Sequence, residues 1–275
     1  LELKNRVALV TGSGRGIGRA VAITLAKQGA TVIVNSLTPA SAEKTTSDIK
    51  SLGFDAASWP KDVTVRDNAF SLVRDIVEKF GTIDILVNNV GLASRLLVEE
   101  MPVEVWDRFI NINLTTPFNM AKAVLPYMIQ KRYGKIVFMG SIAVPRISGN
   151  SSADYTAGKN GTRGLCKHLA YEVAQYGINV NMVNPGITIT DLAKSNLSEQ
   201  EIKNLDTEFP LGPSMPEDIA DAVLFLVSDR SRKVTGHAIE VEGGALIMYS
   251  SGYRKDMEKR TQRSRIALAK LNKQA

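Results

Sequence analysis

Tyr155 and Lys159, four residues apart in Tyr155-Thr156-Ala157-Gly158-Lys159, are the side chains of this sequence best suited to proton chemistry. On a helix, positions i and i+4 share a face, so the phenol and the ammonium are neighbours. A free phenol has a pKa of about 10 and is a poor acid-base group at neutral pH. A nearby ammonium favours the phenolate and is expected to lower that value. A tyrosine tuned in this way gives a proton to a carbonyl oxygen or takes one from an alcohol. Ser141 closes an apolar run and is placed to hydrogen-bond the same oxygen. Taken alone, such a pair is more often ordinary helix surface, and its weight comes from a second feature upstream.

That feature is TGSGRGIG at Thr11–Gly18. It follows the apolar run Val7–Val10 and precedes a helical pattern with Ile17, Val21 and Leu25 on one face. Gly12, Gly16 and Gly18 stand where a tight turn lets backbone approach a ligand closely. The helix start behind them offers free N–H groups and a partial positive charge, which together suit a diphosphate.

The elements that must hold these residues alternate along the chain. Strands are expected at Val7–Val10, Thr31–Val34, near Ala56–Trp59, Ile83–Val87, Lys135–Met139, Ile178–Val183 and Ala238–Val241. Their continuous apolarity and β-branched content suit strands covered on both faces. Phe70, Val73, Val77 and Phe80 mark one face of an intervening helix, with a cap signal at Thr64–Asp67. Glycines at Gly29, Gly53, Gly81, Gly134 and Gly177 read as helix ends. Repeated β-α-β units imply one doubly wound, Rossmann-type α/β domain over residues 1–249, with about seven parallel strands and helices on both faces. Ligands of such sheets sit at the carboxyl ends of the strands. Asp62-Val63, Asn88-Asn89-Val90-Gly91, Gly140-Ser141 and Asn184-Pro185-Gly186 each follow a strand there.

The chain has 275 residues, 44% hydrophobic and 23% charged, with a formal net charge of +6. Arg254–Lys273 carries eight basic residues against Asp256 and Glu258. The rest of the chain is balanced, which argues against a nucleic-acid-binding face on the main domain. Residues 250–275 read as a basic extension. With one cysteine, Cys166, no intrachain disulfide can form. His168 and His237 lack ligand-type spacing, so no metal site is expected. No membrane-span pattern and no secretory signal pattern are visible, and a cytoplasmic location is expected.

TGSGRGIG, NNVG at Asn88–Gly91, Asn113 within NINL, Ser141, YTAGK at Tyr155–Lys159, NPG at Asn184–Gly186 and EGG at Glu242–Gly244 follow one another in an order that resembles the short-chain dehydrogenase/reductase family. The resemblance covers roughly residues 3–246. It implies hydride transfer between nicotinamide C4 and a carbonyl or secondary alcohol. Tyr155 would be the acid-base group, and Lys159 would lower its pKa and bond the nicotinamide ribose. Ser141 would position the carbonyl, and Asn113 would sit in a helix whose local geometry holds a water joining Lys159 to solvent. Cofactor contacts would come from Gly12, Ser13, Arg15, Gly16, Ile17, Gly18, Asn35, Ser36, Asp62, Val63, Asn88, Val90, Gly91, Pro185, Gly186, Ile187 and Thr190. The general likeness is nearest to 3-oxoacyl-[acyl-carrier-protein] reductases, carried by SRLL at Ser94–Leu97 and QKRYGK at Gln130–Lys135.

Members preferring NAD usually place an acid at the end of the second strand, where this chain reads Val34-Asn35-Ser36-Leu37-Thr38. With Arg15 in the glycine loop, NADP(H) is the expected cofactor, with NAD(H) the alternative. Leu92–Leu97, Ile142–Asn150 and Ile187–Gly212 should form a mainly apolar substrate pocket, with Thr190–Gly212 as a lid. Arg95 and Arg146 within them are candidates for an anionic group, though solvated surface is the commoner fate of such residues. Lys131 and Arg132 could meet an acidic acyl-carrier protein. The family likeness implies a homotetramer or homodimer. An NAD-linked alcohol or polyol dehydrogenase and a non-catalytic dinucleotide sensor are the rival readings.

Overall fold

The computed structural model describes residues 1–147, 151–191, 198, 200, 204–205, 209–248, 255, 257–259 and 261–262. Seven strands make one sheet: β1 (Val7–Val10), β2 (Thr31–Val34), β3 (Ala56–Ser58), β4 (Ile85–Asn88), β5 (Gly134–Met139), β6 (Ile178–Pro185) and β7 (Ala238–Val241). Every neighbouring pair is parallel, in the order β3-β2-β1-β4-β5-β6-β7. The strand order reverses between β1 and β4, and a crevice opens at their carboxyl ends.

Successive strand side chains point to opposite faces, and each face finds its own helices. Ala8, Val10, Val87 and Val183 pack on α1 (Gly16–Lys27), α2 (Pro39–Ser51) and the last long helix, Pro216–Val227. Val7, Leu9, Leu86, Phe138 and Val180 pack on α3 (Arg66–Phe80), α5 (Thr116–Lys131) and α6 (Ala153–Val173). Among the described residues, α4 (Val103–Ile110) precedes α5, and the helix Pro216–Val227 is α7. Burial on both faces is why these strands read as unbroken apolar runs. Each fully buried Leu, Ile or Val contributes roughly 1.5–3 kcal/mol.

The expected strands are present, with shifted ends. β4 starts at Ile85, and just before it Asp84 turns its carboxylate inward while its backbone still pairs with Val7 and Lys135. The completely buried Asp84 accepts the Val7 N–H at 3.0 Å and pairs with Lys131 and Arg6. β6 runs on to Pro185, since a ladder needs only the proline carbonyl there. Gly134 is not a helix end: the chain leaves α5 through Arg132 at φ 54°, and Gly134 opens β5. A side chain on Gly134 would meet Met128 Sδ at 2.5 Å. The cap signal at Thr64–Asp67 also resolves differently. Thr64 closes a turn on Asp62, and α3 begins at Arg66 after Val65.

Lys131 and Arg132 lie where β4 and β5 begin, the edge opposite the crevice. Lys131 is paired with Asp84, and Arg132 donates to Gln175 O at 2.8 Å. Both side chains are exposed, and each is also bonded to the body of the domain. The expected boundary at 249/250 and most of the basic extension lie outside the described residues, as do Asn150, Leu192, Leu197 and most of the expected lid.

Candidate active site

The glycine loop joins β1 to α1. Gly12 and Gly16 adopt φ of 62° and 56°, a region open to glycine at little cost. A side chain on Gly18 would lie 2.5 Å from Gly12 O and 2.6 Å from Asn89 Nδ2. Asn89 holds the loop from β4: its Nδ2 donates to Thr11 O at 3.0 Å and Gly12 O at 3.2 Å. Its backbone N–H donates to Thr11 Oγ1 at 3.0 Å. Arg15 precedes the first turn of α1, which contains no acid.

Ser141 follows β5 and is fixed from β6. Its N–H donates to Oδ1 of the buried Asn184 at 3.2 Å, and Asn184 Nδ2 donates to Glu240 at 3.1 Å. Gly140 leaves the space that Asn184 occupies. Tyr155 and Lys159 stand on the first turns of α6, with Lys159 Nζ 5.5 Å from the Tyr155 ring centroid. Lys159 Nζ donates to Met139 O at 2.7 Å. Between α4 and α5, Asn111–Thr115 forms a π-helical turn that contains Asn113. Asn113 Nδ2 donates to Leu92 O at 2.7 Å and Phe109 O at 2.9 Å, and its Oδ1 accepts the Leu92 N–H. Its carbonyl accepts the Thr162 hydroxyl at 2.7 Å.

Burial decides the titration of the pair. It pushes the Tyr155 phenol above its ordinary value, partly offset by a hydrogen bond with Ser141. It lowers Lys159 to about 8. The phenol is thus raised rather than lowered in this structure: burial is the largest cause, and the hydrogen bond with Ser141 is what opposes it.

One cavity of about 600 Å³ brings together Gly12, Arg15, Gly16, Ile17, Gly18, Gly91, Ser141, Tyr155, Lys159, Pro185, Gly186 and Thr190. Thr190 reaches across from the β6 loop, with Cγ2 3.4 Å from where a side chain on Gly16 would start. A second cavity of about 480 Å³ shares Ser141 and Tyr155 and is walled by Ile142, Ile187 and Phe209. Ser13, Asn35, Ser36, Asp62, Val63, Asn88, Val90 and Asn113 do not line either cavity.

Several of these are occupied elsewhere. Ser13 Oγ donates to Val10 O at 2.7 Å. Asn35 Nδ2 donates to Trp59 O and Lys61 O, both at 3.0 Å. Asp62 Oδ1 accepts from Thr64, and Val63 is buried in the core. Asn88 Nδ2 is buried without a hydrogen-bond partner among the described residues. Conversely, Asn89, Met139, Thr188 and Asp191 line the first cavity without having been singled out as site residues. The doubled asparagine of NNVG was the available signal for Asn89.

The cradle fits a dinucleotide: two left-handed glycines, a crowded Gly18, an acid-free helix start and a cation. The chain belongs to the short chain dehydrogenase family, whose pattern it matches over residues 6–201, and is an NAD(P)-dependent oxidoreductase. It is 37% identical over 249 residues to a Thermotoga maritima 3-oxoacyl-[acyl-carrier-protein] reductase, covering 90% of this chain and all of that protein. An Escherichia coli protein of the same name is 38% identical, covering 89% of this chain and 98% of its own length. The crystal structure of a 3-oxoacyl-[acyl-carrier protein] reductase from Brucella melitensis superposes with a TM-score of 0.82 at 33% identity, over 88% of this chain and 92% of that one.

Proposed function

We propose that this protein is an NADPH-dependent carbonyl reductase in which Tyr155 delivers the proton. The observation that carries this reading is the convergence of Ser141, Tyr155 and Lys159 on the cavity that also holds Arg15 and the glycine loop. When bound, the cofactor supplies a hydride to the carbonyl carbon. The residues do the rest. Ser141 and Tyr155 hold the carbonyl oxygen from two elements, so the reacting carbon is oriented before transfer. The raised pKa keeps the proton on Tyr155 at neutral pH, as an acid in the reductive direction requires. Lys159 keeps positive charge beside the phenol and is placed to bond the nicotinamide ribose. Asn113 braces the Leu92 backbone and, with its carbonyl, belongs to a proton path from Lys159.

The 2′-phosphate preference rests on the end of β2. Ser36 Oγ lies 2.8 Å from Ser41 Oγ, and both hydroxyls abut Gly14. No acid stands in the stretch 34–38 to repel a phosphate. Ile142, Ile187 and Phe209 suit an apolar stretch of substrate, such as that of a 3-oxoacyl thioester. An acyl-carrier protein presenting such a thioester would have to dock at the crevice edge. The exposed apolar residues Val103, Trp106, Phe118 and Tyr171 on α4, α5 and α6 support a homotetramer or homodimer. Among the described residues no helix is long and apolar enough to cross a membrane, and a cytoplasmic enzyme is the reading consistent with that.

The experiment is turnover with NADPH and with NADH over a panel of ketones, keto-sugars and 3-oxoacyl thioesters. NADPH-preferring oxidation of the cofactor supports the reading. Cofactor binding without turnover of any compound overturns it.

A further inference from the structure

Arg95 and Arg146 approach the reacting residues from two different loops. Both line the cavity of about 480 Å³ that Ser141 and Tyr155 line. A sphere of that volume is roughly 10 Å across, the scale of a small-molecule pocket. Among the described residues, no carboxylate lies within ion-pair distance of either guanidinium. Arg146 Nη1 donates to Ala245 O at 2.8 Å, which steadies it against the turn after β7 and leaves its other donors for a ligand.

The loop bearing Arg95 is built rather than loose. Arg95 has φ 64°, a conformation that costs a non-glycine residue on the order of 1 kcal/mol. Its N–H donates to Ser152 Oγ at 3.0 Å, and Ser94 Oγ donates to the same oxygen at 3.2 Å. Ser152 in turn donates to Oδ1 of Asp154, which is completely buried. That same carboxylate oxygen accepts the Tyr155 N–H at 2.6 Å. One buried acid therefore fixes both the start of the helix that carries Tyr155 and the loop that carries Arg95. Asp154 is a positioning residue, and the distance between the guanidinium and the phenol is set through it.

We propose that the cavity takes a carbonyl compound that itself bears a carboxylate, held by Arg95 and Arg146 while its ketone oxygen meets Ser141 and Tyr155. This rests on the carbonyl-reductase reading above. Two guanidiniums offer a planar anion paired, charge-assisted donors. The apolar wall of Ile142, Ile187 and Phe209 would receive the carbons between the two groups. In the reaction a hydride passes from the dihydronicotinamide to the carbonyl carbon. The π pair of the C=O bond takes the proton of Tyr155, the nicotinamide is oxidised, and the carboxylate is unchanged.

The test is steady-state kinetics with NADPH and NADH on oxo acids of graded length, their methyl esters, and ketones carrying a phosphate ester instead. The expected result is a kcat/KM at least about tenfold higher for one acid than for its ester. In Arg95→Gln that acid-to-ester ratio falls about tenfold, and Arg95→Lys restores part of it. A purely structural loss would lower both rates and leave the ratio as it was. An unchanged ratio in Arg95→Gln, or equal rates for acid and ester in the wild type, overturns the carboxylate site. So does preference for the phosphate esters. Turnover of neutral ketones without acid preference sinks this proposal and leaves the reductase standing, whereas no turnover of any compound with either cofactor sinks both.

Discussion

Lys159 Nζ stands 2.7 Å from the point where a side chain on Gly91 would begin, with Asn113 Oδ1 3.1 Å from the same point. Gly91 is thus the floor on which the ammonium rests. In Gly91→Ala the flexible end of Lys159 must move off Met139 O while the core is untouched. Displacement of that order at a reacting centre costs about tenfold to a hundredfold in kcat. The expected result is that loss with little change in the thermal midpoint, measured on the same preparation.

Tyr155→Phe removes the proton donor and keeps the ring. Turnover is expected to fall by at least about a hundredfold. NADPH affinity, followed by fluorescence titration, should stay within a few-fold, because the glycine loop and Arg15 are unaltered. Retained turnover would mean that another group delivers the proton.

The pH dependence of reduction follows from the two buried groups. The reactive form has the proton on Tyr155 and the charge on Lys159. Burial raises the first and lowers the second to about 8. Lys159 is charged below its pKa, so kcat/KM should be level near neutrality and fall as pH rises through about 8. A profile that falls toward acid through the neutral range would contradict this assignment.

Ser36→Asp places a carboxylate at the end of β2, where a ribose 2′-phosphate would be repelled and free ribose hydroxyls accepted. The NADPH-to-NADH ratio of kcat/KM should drop by about tenfold or more. An unchanged ratio would show that the 2′ position is read elsewhere.

Helix α4 contains no fully buried residue, and Tyr171 on α6 is 84% exposed. Sedimentation velocity is expected to show a dimer or tetramer. Trp106→Glu with Tyr171→Glu should shift it toward monomer, since a charge at a covered apolar contact is costly. A monomeric wild type would rule the assembly out.

The fold was legible because its signal is local. A strand buried on both faces must be apolar at every position, and β1, VALV and buried throughout, has the expected ends; β2 and β7 also have them, although β2 opens on Thr31 and β7 carries the exposed Glu240. Ends were lost where a polar residue or proline continued the backbone ladder, as at Asn88 and Pro185. The residues proposed to react were picked out by type and spacing, and the structure brings Ser141, Tyr155 and Lys159 to one cavity. What could not be read is anything fixed by a partner distant in sequence. Asn89 holds a loop 78 residues upstream, and Asp154 acts on Arg95 through Ser152. The direction of the Tyr155 shift was missed for the same reason, because four-residue spacing reports a neighbour but not the depth of burial around it.

Gly186 packs against Glu242, whose Cα lies 2.7 Å from where a side chain on Gly186 would begin, and Arg146 is tied to Ala245. The residues proposed to move the proton all precede position 160, while Ile187 and Phe209 on the cavity wall follow it. Arg95, Ile142 and Arg146 line the same cavity from the earlier stretch, so choice of substrate is shared between the two. Divergence of the later stretch alone would reshape the apolar wall at Ile187 and Phe209 and leave Arg95 and the residues proposed to react where they are.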